Sequence, residues 1–248
     1  PGPTSSQVGM GLGYQRAGWL GALAAWLGFT LPSALALLLC GLGLTLYADV
    51  LPNTVLHGFK LVALAVILQA VLSMLPTLCP DWVRRFIALL SALVLILFPH
   101  AAMQVGVMLV AAGLGWWVYH GELDVANEAE LFARISWLHT IWFVVFALLL
   151  AGLPLLLAFY PAPLLTLADA FYRSGSLVFG GGHVVLPLLQ AEMVESDIVS
   201  ERVFLAGYGL TQAVPGPLFT FAAFLGAVAQ GGVGGFVALL GLAAAAYF

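Results

Sequence analysis

Three glycines, Gly180, Gly181 and Gly182, stand together inside the apolar run SLVFGGGHVVLPLLQ, with His183 next and Pro187 soon after. Downstream, QAVPGP places Gln212 just ahead of Pro215, Gly216 and Pro217, and Thr220 follows. The same tripeptide opens the chain, where Pro1, Gly2 and Pro3 precede Thr4, Ser5, Ser6 and Gln7. Arg173 lies seven residues before the first of the three glycines, and Asp169 lies four before Arg173, on the same face of a helix. Covalent catalysis is not what these residue types suggest. No nucleophile is paired with a base, and no His, Cys and acid cluster has metal-ligand spacing, so neither an enzyme nor a metal or other cofactor is expected. Binding suits them better. A broken helix leaves backbone N–H groups free at the new N-terminus. Glycine there lets a ligand come close to the backbone. Each feature also has a plainer reading: a packing kink for the glycines, an interfacial ion pair for Asp169 and Arg173, and hydroxyls bonded to their own helix for the Ser and Thr residues.

The solvent around these residues follows from composition. Hydrophobic residues make up 63% of the 248-residue chain and charged residues only 7%, where a soluble domain has roughly a quarter charged. So few charges cannot cover a water-facing surface, and the natural solvent is a bilayer. The net charge is −4 and the seven Lys and Arg are scattered, which argues against nucleic acid as a partner. Cys40 and Cys79 stand alone and read as free, apolar fillers.

A span needs roughly 20 apolar residues. Residues 17–47 suffice for one tilted helix or for a tight pair broken at Pro32. Residues 61–78, 83–98 and 101–119 read as a compact meander of shorter helices flanked by Lys60 and Arg84. Residues 120–136 are the only strongly polar stretch, an acidic linker between a first membrane half, 1–119, and a second, 137–248. Within the second half the apolar segments 168–179, 184–194, 204–214 and 218–229 are half-length and joined by Gly and Pro. An irregular backbone survives in lipid only when buried in protein or lining a wet cavity. Paired interrupted segments point to a transporter's binding site. Glu192, Glu195, Asp197 and Glu201 read as a solvated acidic turn.

A shift of 214 carries Pro1–Pro3 onto Pro215–Pro217, Gly18 onto Gly232, Gly21 onto Gly235 and Ala24 onto Ala238 without a gap. This suggests an internal repeat, although small residues at such spacing also serve helix packing.

FYRSGSLVFGGGHVVLPLLQAEMV together with FLAGYGLTQAVPGPLFTFAAFLGA resembles the chromate ion transporter family. PGPTSSQVGMGLGYQRAGWLGALAAWLGFTLPSA and KLVALAVILQAVLSMLPTLCPD resemble its first half and middle helices. The resemblance implies an all-α, polytopic membrane bundle with two homologous halves of opposite orientation and Gly/Pro-broken helices. It implies a secondary transporter of chromate, with sulfate as the related dianion, acting in efflux and resistance at a bacterial inner membrane. The partners it implies are the oxyanion, the lipid bilayer, protons or a counter-ion for coupling, and a homodimer among the allowed assemblies.

On that footing the breaks acquire a ligand. A tetrahedral dianion needs donors and positive potential, which opposed half-helix N-termini supply. Gly180–Gly182 would aim the helix starting near His183 at the anion. Gln212, Thr220, Ser5, Ser6 and Gln7 would add neutral donors, and Arg173 charge, held by Asp169. A passive anion channel and a non-transporting scaffold are the competing readings. The opening PGPTSSQ and closing LAAAAYF look like cut ends, so this stretch alone is expected to insert into a membrane without moving chromate.

Overall fold

The computed structural model describes residues 3–46, 53–98, 101–119, 137–176, 178 and 185–247. Among these the chain is helical: α1 (Pro3–Leu46), α2 (Asn53–Leu78), α3 (Trp82–Leu97), α4 (Ala101–Tyr119), α5 (Trp137–Phe159), α6 (Pro163–Ser176), α7 (Val185–Met193), α8 (Glu201–Ala213) and α9 (Phe221–Tyr247), with a 3-10 turn at Leu218–Thr220 leading into α9. The proposed linker at 120–136 lies outside the described residues. Four stretches are long and apolar enough to cross a bilayer: Ser5–Leu46, Leu61–Leu78, Ile141–Phe159 and Leu218–Ala245. Two of them bury almost nothing inside the protein, 6% of the Leu61–Leu78 window and none of Ile141–Phe159. Apolar surface of that extent is stable only against lipid. The chain is an all-α, multi-pass membrane protein. Among the helices of the expected meander, α3 has 16 residues and α4 holds only the shorter apolar stretch Gly106–Val118.

The described residues form two compact units, one from Pro1–Ile67 with Trp142–Phe248, the other from Leu68–Ile141. In the second unit the Cys79–Asp81 turn sets the start of α3. Asp81 caps it by accepting from the Arg84 backbone N–H at 2.8 Å, and its carboxylate also pairs with the Arg84 side chain at 3.2 Å. Arg85 donates to the Cys79 carbonyl and lies over the Trp82 ring, an interfacial arrangement for a cation and an indole.

The first unit holds the core. Phe171 of α6, Leu189 of α7, Phe204 and Tyr208 of α8, Leu37 of α1 and Phe221, Phe224 and Leu242 of α9 form one buried cluster. The Phe221 ring meets Phe204 edge-on at 5.1 Å and Tyr208 at 6.1 Å. Small residues bring the helices together: Gly175 of α6 lies on Leu242 and Ala245 of α9, and Gly41 of α1 on Phe224 and Ala227.

α1 and α9 are each sharply bent. Ala17 and Gly18 leave helical geometry at φ −145°, ψ 26° and φ 59°, ψ −147°, and Gln230 and Gly231 do so at φ −142°, ψ 25° and φ 69°, ψ −161°. Each pair of dihedrals copies the other, and the second member falls in a region that is essentially glycine's own. The bend folds the chain back so far that Gly13 touches Gly21, and Gly226 touches Gly234. Residues eight apart in a straight helix stand about 12 Å from one another. α1 therefore breaks at Gly18 and runs unbroken through Pro32, because one lost N–H is easily tolerated within a membrane helix.

The matching bends also correct the expected register. Gly18 and Gly231 are 213 residues apart, so Gly21 answers to Gly234 and Ala25 to Ala238, one residue short of the ungapped shift. The slip has a geometric reason. After Pro3 the chain is α-helical at once, whereas after Pro217 it runs three residues as a 3-10 turn. A 3-10 turn rises about 2.0 Å per residue against 1.5 Å, so three residues gain about one α-helical step.

Candidate functional site

α8 stops at Ala213 because Val214 precedes a proline and is extended, at φ −96° and ψ 126°. The turn Pro215–Pro217 then sits against α1. A Cβ on Gly216 would run into the Ser33 side chain, with the Phe29 carbonyl just beyond. Only glycine permits that approach. Pro215 is exposed, Gly216 half-buried and Pro217 buried, and Gln212 is half-buried one helical turn earlier.

Ser6 and Thr220 each stand three residues past the second proline of their PGP. Both are buried, at 2% and 1% exposure, and they differ in what their hydroxyls do. Thr220 Oγ1 donates to the Pro217 carbonyl at 2.7 Å. Ser6 Oγ has no hydrogen-bond partner. Ser5 and Gln7 face outward. Pro3 begins α1, where a missing N–H costs nothing. Pro1 and Gly2 lie outside the described residues.

Gly180, Gly181, Gly182 and His183 also lie outside the described residues. On either side of them α6 ends at Ser176 and α7 begins at Val185. α7 has nine residues and is too short to cross a bilayer.

An ion cluster ties these two helices together. Arg173 Nε lies 2.9 Å from Asp169 Oδ2 on its own helix, and its terminal nitrogen donates to Glu192 Oε2 of α7, also at 2.9 Å. The guanidinium is 43% exposed, Glu192 19% and Asp169 only 6%. Two carboxylates on one cation leave a net negative charge, and Asp169 Oδ1 is buried with no donor. Glu192, outside the four candidate spans, has its carboxyl pushed above the usual range by burial, with Arg173 pulling the other way and Asp169 and Glu195 adding to the rise. The expected acidic turn is thus only partly solvated. Glu195, Asp197 and Glu201 are exposed, but Glu192 is still within α7, which ends at Met193, and its carboxylate reaches Arg173 of α6.

Sequence reasoning passed over Thr30 and Ser33. Both are buried polar groups on α1, at 3% and 1% exposure. Ser33 Oγ donates to the Thr30 carbonyl at 3.0 Å, and Thr30 Oγ1 has no partner. The signal available was FTLPSA, two hydroxyls around a proline in an apolar helix.

The sequence pattern of the chromate transporter family matches residues 1–116 and 165–248. The chain is 25% identical to a chromate transport protein of Pseudomonas aeruginosa over 98% of its own length and 57% of that protein. It is 26% identical to a probable chromate transport protein of Synechococcus elongatus, over 98% and 59%. An uncharacterized transporter of Methanocaldococcus jannaschii shares 23%, over 97% and 60%. The chain therefore spans about 60% of the length of these curated relatives. No solved structure matches it. With matches on both sides of residues 117–164 and over most of its length, the chain belongs to the chromate transporter family.

Proposed function

We propose that the protein carrying this chain is a secondary transporter that exports chromate across a bacterial inner membrane, with sulfate as a competing dianion. The observation that carries the reading is the seat of the Pro215–Pro217 turn on α1, where a broken helix meets buried hydroxyls within a family of chromate transporters. The relatives named as chromate transport proteins support the choice of substrate. A tetrahedral dianion has four acceptor oxygens and no donor, so it fits backbone N–H groups and neutral hydroxyls. Gly180–Gly182, His183, Gln212 and the residues after the first PGP join the same reading as donors from the broken segments. Coupling to protons or a counter-ion, and a dimer, belong to the proposal. The test is radiolabelled chromate uptake into inverted vesicles, with excess sulfate and with the proton gradient collapsed. Uptake that sulfate competes away and that needs the gradient supports the carrier. Gradient-independent flux would make it a channel, and no flux would sink the reading.

A further inference from the structure

We propose that the Thr30 hydroxyl is a donor to the bound oxyanion, in the wall that α1 shares with the Pro215–Pro217 turn; this rests on the oxyanion reading above. Hydroxyls in apolar helices ordinarily return a bond to a carbonyl one turn back. Here Ser33, Thr45, Ser73, Thr77, Thr166, Ser176, Thr211 and Thr220 all do so. Among the described residues Ser6, Thr30 and Ser174 are buried hydroxyls that do not. Ser174 belongs to the α6 packing surface, beside the Gly175 that lies on α9.

Thr30 is placed otherwise. It shares the buried stripe of α1 with Ser33, Ala34 and Leu37, the last seven residues on and so on the same face. Leu37 packs in the core cluster with Leu218, Phe219 and Tyr208, the segments on either side of the PGP turn. Ser33, which neighbours Thr30 on that face, is the residue Gly216 presses against. A buried donor without an acceptor is costly to the empty protein. An oxyanion seated against the turn supplies the missing acceptor, and Ser6, with the same signature after the first PGP, is its counterpart on the other arm of α1.

Thr30→Val keeps the shape and removes the donor, and Thr30→Ser keeps the donor. The protein carrying this chain and both variants of it are placed in lipid nanodiscs. Equilibrium dialysis with radiolabelled chromate gives affinity, with sulfate as competitor, and the ligand-free thermal midpoint gives stability. Thr30→Val is expected to weaken chromate binding about ten-fold or more, the loss of one hydrogen bond to a charged group. Its ligand-free midpoint should be equal to or above the parent's, because an unsatisfied hydroxyl has gone. Thr30→Ser should stay within about three-fold of the parent. Thr30→Val binding within about two-fold of the parent overturns the inference, and so does a loss of affinity accompanied by a lower ligand-free midpoint, which marks a folding role. Failure of the unsubstituted protein to bind either dianion overturns the oxyanion reading and this inference with it.

Discussion

Arg173 is held by two carboxylates, and removing it should cost more than removing either partner. Its nitrogens are 2.9 Å from both Asp169 and Glu192. At an effective dielectric near 20, opposite charges at such range attract by about 4 kcal/mol. The guanidinium is 43% exposed, so solvent screens roughly half of that, leaving about 2 kcal/mol per pair. Arg173→Gln loses both attractions and strands Asp169, whose side chain is 6% exposed, without a counter-charge. A cost of about 4 kcal/mol follows, within the range for breaking a buried pair. Glu192→Gln should cost under about 1 kcal/mol, because burial already opposes its charge. The double change Asp169→Asn with Arg173→Gln should recover most of the loss, since the stranded charge goes with its partner. Unfolding free energy in mixed micelles, followed by tryptophan fluorescence, measures all of these. An Arg173→Gln cost below about 0.5 kcal/mol, or a double variant no better than the single, would refute the ion-cluster account. Chromate half-saturation on the same variants separates the roles. Transport restored in the double variant removes Arg173 from the substrate site, while transport still lost keeps it there.

The Glu192 carboxyl, raised by burial, is protonated more readily folded than unfolded, so its contribution to stability is full below its ordinary value and declines as pH rises through the native one. A pH titration of stability should show this decline in the parent and flatten in Glu192→Gln; an unchanged profile would be the contrary result. Gly18→Ala and Gly231→Ala should each cost about 1–3 kcal/mol, because both sit at positive φ in a glycine-only region, and equal midpoints for parent and variants would show that the bends tolerate a side chain. Gly182→Val should abolish chromate flux in vesicles at unchanged membrane levels, and near-normal flux would remove the three glycines from the site.

The bilayer class was readable because charge is so scarce that no arrangement of helices could make this chain water-facing. The stop at Val214 and the bend after Gln230 were readable too, since Pro and Gly act on their own backbone. The bend at Gly18 was hidden for the opposite reason. Gly18 and Gly21 in QRAGWLG look like packing, and Pro32, the louder signal, costs one hydrogen bond and leaves the helix intact. The one-residue slip between the copies depends on a 3-10 turn, which has no distinct sequence signature. Glu192 looked solvated beside Glu195 because pairing with Arg173, 19 residues away, needs the tertiary fold. FTLPSA marks Thr30 only as a hydroxyl near a proline, since whether that hydroxyl is satisfied is decided by side-chain rotation and by its neighbours.

The twin bends in α1 and α9 are closed by glycine backbone contacts, with Arg16 standing inside the first and no charged residue inside the second. Each is closed by a glycine at positive φ and by two further glycines whose backbones touch, within a stretch of fewer than 25 residues. Segments that rely on Lys or Arg are read by the insertion machinery as belonging on one side of the bilayer. The α9 bend, from Gly226 to Gly234, carries no such address, whereas Arg16 gives the α1 bend one. What the two bends share is the geometry alone, a glycine at positive φ between two touching glycines, and that geometry is indifferent to the leaflet it enters from. The geometry recurs in both bends, and the charge beside it is where they differ.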